Sequence, residues 1–309
     1  MVYIMDRKEI YAFDRDNEVF EFGQLDFPAR KGGHIKNTLV DAEMIIDEVR
    51  EADGTLTKVP RLLIYDVIHY ETFNLMKENF ITRTDCIKKE LIGPRTLAFS
   101  KNEIRREEQI MSVRAKDFYD ISCVSKLLHK DFTGKVGHEI DGLIFQPIKM
   151  PYVPGRCDAV LKWKPPSHNS VDFLLKVEKV KKEGMLPEWK GLLYVQHQKE
   201  PFGTMKATNT LKKYDNKIIE CRLEVDSHGR ILQPREWIFM RERTDKSAPN
   251  AIRTAQNVLE TMTNPVTEDI LINFVADVVR HQQKYQQQRL HQQQQRHPNE
   301  PQDKRQRHE

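Results

Sequence analysis

Long apolar runs are missing from this chain: nowhere do about 18 apolar residues follow one another, which excludes a helix crossing a bilayer. The first residues also lack the charged-then-apolar build of a signal peptide. Cysteine is scarce. Cys86, Cys123, Cys157 and Cys221 lie far apart and form no Cys-x-x-Cys pair, which argues against a zinc knuckle and a disulfide framework and for a reducing compartment. Charge of one sign is weak as well, since a net +4 does not by itself announce a nucleic-acid binder, although the C-terminal tail is basic. The expectation is a soluble protein of cytosol or nucleus with no membrane partner.

What is present, 309 residues with 39% hydrophobic content, suffices for about two domains and a sizeable core. Up to about residue 165 the chain reads as strands and turns. Runs at 10–13 and 19–22 flank the turn-rich Asp14-Arg15-Asp16-Asn17 and predict a hairpin. Strand-length apolar runs follow at 38–46 and 61–70, joined through an Asp53-Gly54 turn. Ile87, Leu91 and Ile92 are spaced for a helix over 84–92 stopped by Gly93-Pro94, and 121–128 reads as another. Strands resume at 142–147 and 159–163, after which Pro165 to Asn169 reads as a linker. Short strands at 171–180, 191–196, 218–225 and 236–241 then predict a small β-barrel, an oligonucleotide/oligosaccharide-binding (OB) fold being the leading choice. Ala251, Ala255, Val258 and Met262 share one helical face. Asn264-Pro265 looks like the cap of a second helix whose stripe is Ile270, Leu271, Phe274, Val275 and Val278. From about His281 the Gln-, Arg- and His-rich tail predicts disorder, or at best a frayed extension of that helix.

Four segments carry candidate chemistry. Asp41 and Glu43 lie on one face of an otherwise apolar strand, where they either need a cation or hydroxyl partner or sit in water on a half-exposed face. Asp141-Gly142 is an ordinary turn pair, yet a carboxylate before an apolar strand also suits a divalent metal escorting a nucleotide. In Leu161-Lys162-Trp163-Lys164-Pro165-Pro166 the two lysines point one way and Leu161 and Trp163 the other. That face is either solvated or directed at an anion. In the string from Trp237 to Lys246, Arg241, Arg243 and Asp245 share a parity, with Trp237 and Phe239 on the same side if no bulge intervenes. Directed cations of this kind suit a polyphosphate, the alternative being a surface ion-pair cluster.

Together these strings resemble the covalent nucleotidyltransferase superfamily, which contains messenger-RNA capping guanylyltransferases and polynucleotide ligases. Asp141-Gly142-Leu143-Ile144-Phe145-Gln146-Pro147, the Lys162-Trp163-Lys164 segment with Asn169-Ser170-Val171-Asp172-Phe173, and Tyr214 through Cys221 are similar to the guanylyltransferase portion of animal capping enzymes, over about residues 3–280. The resemblance implies an α+β chain: an antiparallel-sheet nucleotidyltransferase domain over 1–166, an OB-fold domain over 170–262, a C-terminal helix over 263–280 and a disordered tail over 281–309. It implies GTP as substrate, with Mg2+ or Mn2+, and a two-step transfer of GMP through a lysyl intermediate to the 5′-diphosphate end of nascent mRNA. Nuclear localisation and docking to the phosphorylated tail of RNA polymerase II follow from the same resemblance. By it, Arg15 corresponds to the ribose contact, Glu43 to the acid beside it, and Asp141 to the metal-associated carboxylate. Lys162 and Lys164 correspond to the lysines near the α-phosphate. Arg241, Asp245 and Lys246 correspond to residues that align the departing phosphates. The guanine-packing aromatic falls on Tyr65 or Tyr70.

The family's nucleophile occurs in a Lys-x-Asp-Gly string upstream of all these positions, and no such string occurs here. Glu51-Ala52-Asp53-Gly54 and Glu139-Ile140-Asp141-Gly142 put glutamate at the lysine position, out of motif order. The expectation is a chain beginning just past the lysine and inactive by itself. Ala42 replaces the usual glycine between the two acids. A polynucleotide-ligase relative and a non-catalytic module holding RNA or the polymerase tail are the alternatives.

Overall fold

The computed structural model describes residues 1–7, 9–14, 17–181, 188–224, 231–232 and 235–296. The chain divides into two compact units, Met1–Ile140 with Ile144–Lys162, and Asp141–Leu143 with Trp163–Glu309.

In the first unit β1 (Val2–Asp6), β2 (Glu9–Phe13), β3 (Val19–Phe22), β4 (Thr38–Arg50), β5 (Leu56–Tyr70) and β6 (Phe73–Asn74) form an antiparallel sheet in the order β3-β2-β1-β4-β5-β6. β7 (Ser112–Ala115) adds alongside β5 in parallel, an element the sequence reading missed. Alternation builds the core: Val2, Ile4, Ile10, Val40, Leu62 and Ile64 are buried, and Ile87 and Leu91 pack against them. The expected Asp-Gly hairpin is present, with Gly54 at φ +87 and the Glu51 N–H donating to Thr55 O at 2.8 Å.

The helical stretch runs past the expected stop. α1 (Phe80–Cys86) passes through one widened π turn at Ile87–Ile92 into α2 (Gly93–Ser100). In that turn the Gly93 N–H reaches back to Lys88 O, and a Cβ on Gly93 would stand 3.1 Å from that oxygen. A proline inside a helix lacks a donor and collides with the preceding turn; widening that turn removes the collision, so Gly93-Pro94 marks a change of winding. Two short helices follow, α3 (Val124–Leu128) and α4 (Lys130–Thr133), and then a two-stranded ladder of β8 (Leu143–Phe145) and β9 (Leu161–Trp163).

Within the stretch read as a linker, Pro166–His168 forms a 3-10 turn. The second unit is then a five-stranded antiparallel sheet of β10 (Val171–Val180), β11 (Glu188–Tyr194), β12 (Gly203–Lys206), β13 (Ile218–Leu223) and β14 (Trp237–Glu242), ordered β12-β11-β10-β13-β14. β12 was not anticipated. The sheet curls until its edges meet: a Cβ on Gly203 of β12 would lie 2.7 Å from the Trp237 indole nitrogen on β14. Val171, Phe173, Leu175, Leu193, Ile219 and Cys221 fill the interior, with the Trp237 ring edge-on to Phe173 at 4.9 Å.

α5 (Ile252–Thr263) lays Ala255 and Met262 on this core. Asn264 closes α5 through its N–H to Glu260 O at 2.9 Å, so it is not the start of the next helix. α6 (Glu268–Arg296) begins after Thr267, whose hydroxyl accepts from the Ile270 N–H at 3.4 Å. Of its expected apolar stripe Leu271 and Val275 are buried, whereas Ile270 and Phe274 are 53% and 65% exposed. The helix also continues beyond residue 280 into the stretch expected to be disordered, as far as Arg296. Gln, Arg and Lys are good helix formers, so a helix already anchored by its first turns propagates through them without an apolar face. Residues 297–309 lie outside the described residues.

Candidate functional site

On the first unit the acids of β4 have a cation and a hydroxyl as partners, the first of the two readings that the sequence left open. Lys116 Nζ donates to Glu43 Oε1 at 2.5 Å, and the Tyr152 hydroxyl donates to Asp41 Oδ2 at 3.0 Å. Lys116 is placed by the ladder, its N–H donating to Ile64 O at 2.8 Å just beyond the end of β7. Tyr152 is placed by its N–H to Met76 O, also at 2.8 Å. Opposite the acids β5 bulges. Asp41 pairs with Asp66 and Ala42 with Ile64, so Tyr65 is the extra residue between them. Burial first, then the charge of Asp41 beside it, pushes the Tyr65 phenol well above its ordinary pKa, and Glu43 adds to the same effect. Tyr70 occupies other surroundings: burial and then Glu71 and Glu90 push it up to about 12, and it packs with Cys86 on the core. Of the two aromatics left open by the sequence, Tyr65 is therefore the one beside the acids. Asp66 is buried and gripped by Arg83, Nε to Oδ1 at 2.7 Å and Nη2 to Oδ2 at 3.0 Å.

In the second unit Lys164 Nζ stands 3.1 Å from Asp141 Oδ2. Gly142 makes this closeness possible. Its φ is +139, and a Cβ there would fall 2.0 Å from Trp163 O, so only glycine lets the two backbones touch. Trp163 is buried and donates from its indole N–H to Val266 O at 2.7 Å. Leu161, by contrast, is 61% exposed, so the apolar face opposite the lysines is only partly buried. Lys162 is exposed and belongs to the first unit.

The arginine string departs from simple alternation. Cys221 pairs with Phe239 but Glu220 with Arg241, which makes Met240 a bulge residue. Trp237 and Phe239 consequently face the barrel interior with Leu223 and Cys221, while Arg241 turns to the opposite side with Glu220. Arg241 Nε donates to Glu220 Oε2 at 2.6 Å, and the Ser170 hydroxyl donates to the other oxygen. Arg243 is held harder. Its Nε and Nη2 grip both Asp245 oxygens at 2.9 and 2.8 Å while Nη1 donates to Asp172 Oδ1 at 2.8 Å. The Arg243 hydrogen bonds hold the Asp245 carboxyl far below the usual carboxylate range. Burial pushes Asp172 the other way, upward. Lys246 is exposed.

A family model described as mRNA capping enzyme, catalytic domain, matches residues 1–166, and one described as mRNA capping enzyme, C-terminal domain, matches 168–272. This chain belongs to the mRNA capping enzyme family. An mRNA-capping enzyme of Caenorhabditis elegans is 60% identical over 280 residues, which is 91% of this chain and 44% of that protein. One from Danio rerio is 47% identical over 277 residues, 89% of this chain and 44% of that protein. An mRNA-capping enzyme subunit alpha of Schizosaccharomyces pombe is 25% identical over 287 residues, 86% of this chain and 68% of that protein. The chain thus spans less than half the length of the two animal relatives.

Within this family chain, the residues named from sequence fall into groups. Glu43 and Tyr65 share one face of the first unit with Asp41. Asp141 meets Lys164, and Asp245 meets Arg243. Arg15 lies outside the described residues. Sequence reasoning missed Lys116, Tyr152 and Glu220 as partners, and only Glu220, inside a string already singled out, left a local signal. Among the described residues no group of three or more His, Cys, Asp or Glu could hold a metal ion. Asp141 offers one carboxylate, which fits Mg2+ or Mn2+ only when nucleotide phosphates and water complete the shell, the usual way Mg2+ is held beside a phosphate chain.

Proposed function

We propose that this chain carries the GTP-holding and phosphate-aligning parts of an mRNA guanylyltransferase acting in 5′-end capping in the nucleus. The observation that carries the proposal is the Asp141–Lys164 pair, fixed by the Gly142–Trp163 backbone contact inside the string that resembles the family's metal and α-phosphate segments. In the reaction a lysine amine attacks the α-phosphorus of GTP, an N–P bond forms and the bond to pyrophosphate breaks. The terminal phosphate oxygen of a 5′-diphosphate RNA then displaces the lysine and takes the GMP.

The residues divide this work. Tyr65 packs on guanine, and Arg15 and Glu43 hold the ribose. Lys162 and Lys164 neutralise the α-phosphate. Asp141 holds Mg2+ or Mn2+, which when bound offsets the charge of the phosphate chain. Arg241, Asp245 and Lys246 align the leaving pyrophosphate, where negative charge grows in the transition state. The curled sheet, in which the third strand meets the fifth, serves as an OB fold. The phosphorylated tail of RNA polymerase II is the proposed docking partner.

The Lys-x-Asp-Gly nucleophile is not among these 309 residues, so the chain by itself should bind GTP without becoming labelled. Incubation with labelled GTP and Mg2+ or Mn2+ should leave no acid-labile GMP on the polypeptide; a covalent adduct refutes the inactivity. GTP should raise the thermal midpoint more than ATP. The reverse preference points to a polynucleotide-ligase relative, and no response to either nucleotide points to a binding module.

A further inference from the structure

The acids Asp41, Glu43 and Asp47 of β4 point to one face of the sheet, and each has a different kind of partner. The phenols of Tyr152 and Tyr65 stand at Asp41. Asp47 pairs with Arg61 and His138 in a closed-in cluster, with Arg61 buried. The Glu43–Lys116 pair is open, its side chains 40% and 32% exposed. An exposed ion pair adds little to stability, so the fold gains little from this one. Its geometry is nonetheless fixed from both sides. Glu43 is anchored in the β4–β5 ladder opposite Leu63. Lys116 follows the Ala115–Ile64 pair that ends the β5–β7 ladder, and its own N–H donates to Ile64 O. Ile64 immediately precedes the bulged Tyr65, so the ring and the ammonium hang from adjacent positions of β5. Lys116 Nζ takes Glu43 Oε1 at 2.5 Å, and among the described residues no donor reaches Oε2.

We propose that Lys116 is a positioning residue for the sugar of the nucleotide: by holding Oε1 of Glu43 it leaves Oε2 directed at a ribose hydroxyl. The inference rests on the reading of Glu43 as a ribose contact. To that reading it adds the residue that aims the carboxylate and sets the preference for a sugar carrying its 2′ and 3′ hydroxyls. A carboxylate accepts at both oxygens and a hydroxyl donates, so one glutamate serves an ammonium and a sugar at once. A glutamate this exposed would otherwise spread over several rotamers, and ordering it would count against binding. A carboxylate already held by Lys116 meets the sugar without that cost.

The test compares binding of GTP and of 2′,3′-dideoxyGTP to the full chain with Mg2+, by calorimetry. The parent should prefer GTP by about ten- to 150-fold, the usual worth of a hydrogen bond to a charged group. Lys116→Met keeps the length of the side chain and removes its charge. It should lose most of that preference by weakening GTP, with dideoxyGTP changing much less. Lys116→Arg restores a donor to Oε1 and should keep most of the preference. Adding Lys116→Met to Glu43→Gln should reduce the preference no further than Glu43→Gln does alone, because the lysine acts through the acid. The ligand-free midpoint of Lys116→Met should fall by no more than about 4 °C, the size of an exposed pair, so a lost preference there does not reflect unfolding. A full preference for GTP in Lys116→Met overturns the inference and leaves the ribose reading standing. Equal weakening of GTP and dideoxyGTP overturns it too, since that puts the lysine on the phosphates or the base, and so does a further loss in the double variant. A parent chain that does not distinguish the two nucleotides, or a Glu43→Gln variant with the full preference, refutes the ribose reading and the inference with it.

Discussion

Replacing Gly142 by alanine tests the local geometry on which the Asp141–Lys164 pair depends. The new Cβ would stand 2.0 Å from Trp163 O and 3.0 Å from Lys164 Cα, at a φ of +139 that side chains avoid. Reaching an ordinary contact of 3.4 Å requires about 1.4 Å of backbone retreat, the difference between the two distances. Backbone strain of this kind costs about 1–3 kcal/mol and overpacking about 1–3 kcal/mol more, together about 2–6 kcal/mol. At about 2–4 °C per kcal/mol the thermal midpoint should fall by about 4–24 °C. Gly155 is the control: its φ of +74 is also positive, but nothing lies within 4 Å of its Cβ position. Gly155→Ala therefore pays only the left-handed penalty of about 1–2 kcal/mol. Thermal melts of both variants with and without GTP and Mg2+ separate the effects. Gly142→Ala should melt lower than Gly155→Ala and lose most of its GTP response, because moving Trp163 moves Lys164 off Asp141. Equal midpoints, or a full GTP response in Gly142→Ala, would refute the reasoning.

Two further outcomes follow from buried charge. Arg83→Met strands Asp66 without its bidentate partner and also frees Glu78 O and Met150 O, so it should cost about 3–5 kcal/mol in denaturant unfolding, and adding Asp66→Leu should recover much of that. Full stability in the single variant would contradict this. At Glu220 burial works against the carboxylate, but hydrogen bonds from Ser170 and Arg241 prevail and hold its pKa below the ordinary 4.5. A depressed folded-state pKa gives stability that is complete above the unfolded value and is lost as pH falls through the folded one. Glu220→Gln should therefore flatten the decline of unfolding free energy below about pH 4.5, and an acid limb as steep as the parent's rules it out.

Much of the fold was legible because alternation and turn chemistry are local. The Asp-Gly hairpin between β4 and β5, the short strands of the second unit and the Ala255–Met262 face of α5 can be read from neighbouring residues alone. The failures share a cause. Whether Gly93-Pro94 ends a helix depends on the winding of the turn before it, and β7 becomes a strand through the edge of β5 beside it. The candidate site was legible as residue types and not as partnerships. Lys116 reaches Glu43 across 73 positions and Tyr152 reaches Asp41 across 111, separations at which no periodicity operates. The bulge at Met240 sends Arg241 away from Trp237 and Phe239, although strict parity grouped all three. One inserted residue is invisible in a pattern of period 2 until the partner strand is known.

The bulge at Tyr65 has its own corollary. Ile64 and Asp66 keep their partners on β4 whether or not a residue stands between them, so the ladder places no demand on the side chain at 65. That position can change its ring, its size or its polarity at small expense to the sheet. What fixes tyrosine there is left to whatever the phenol touches, and the guanine contact proposed for it could be retuned without rebuilding the strand that carries it.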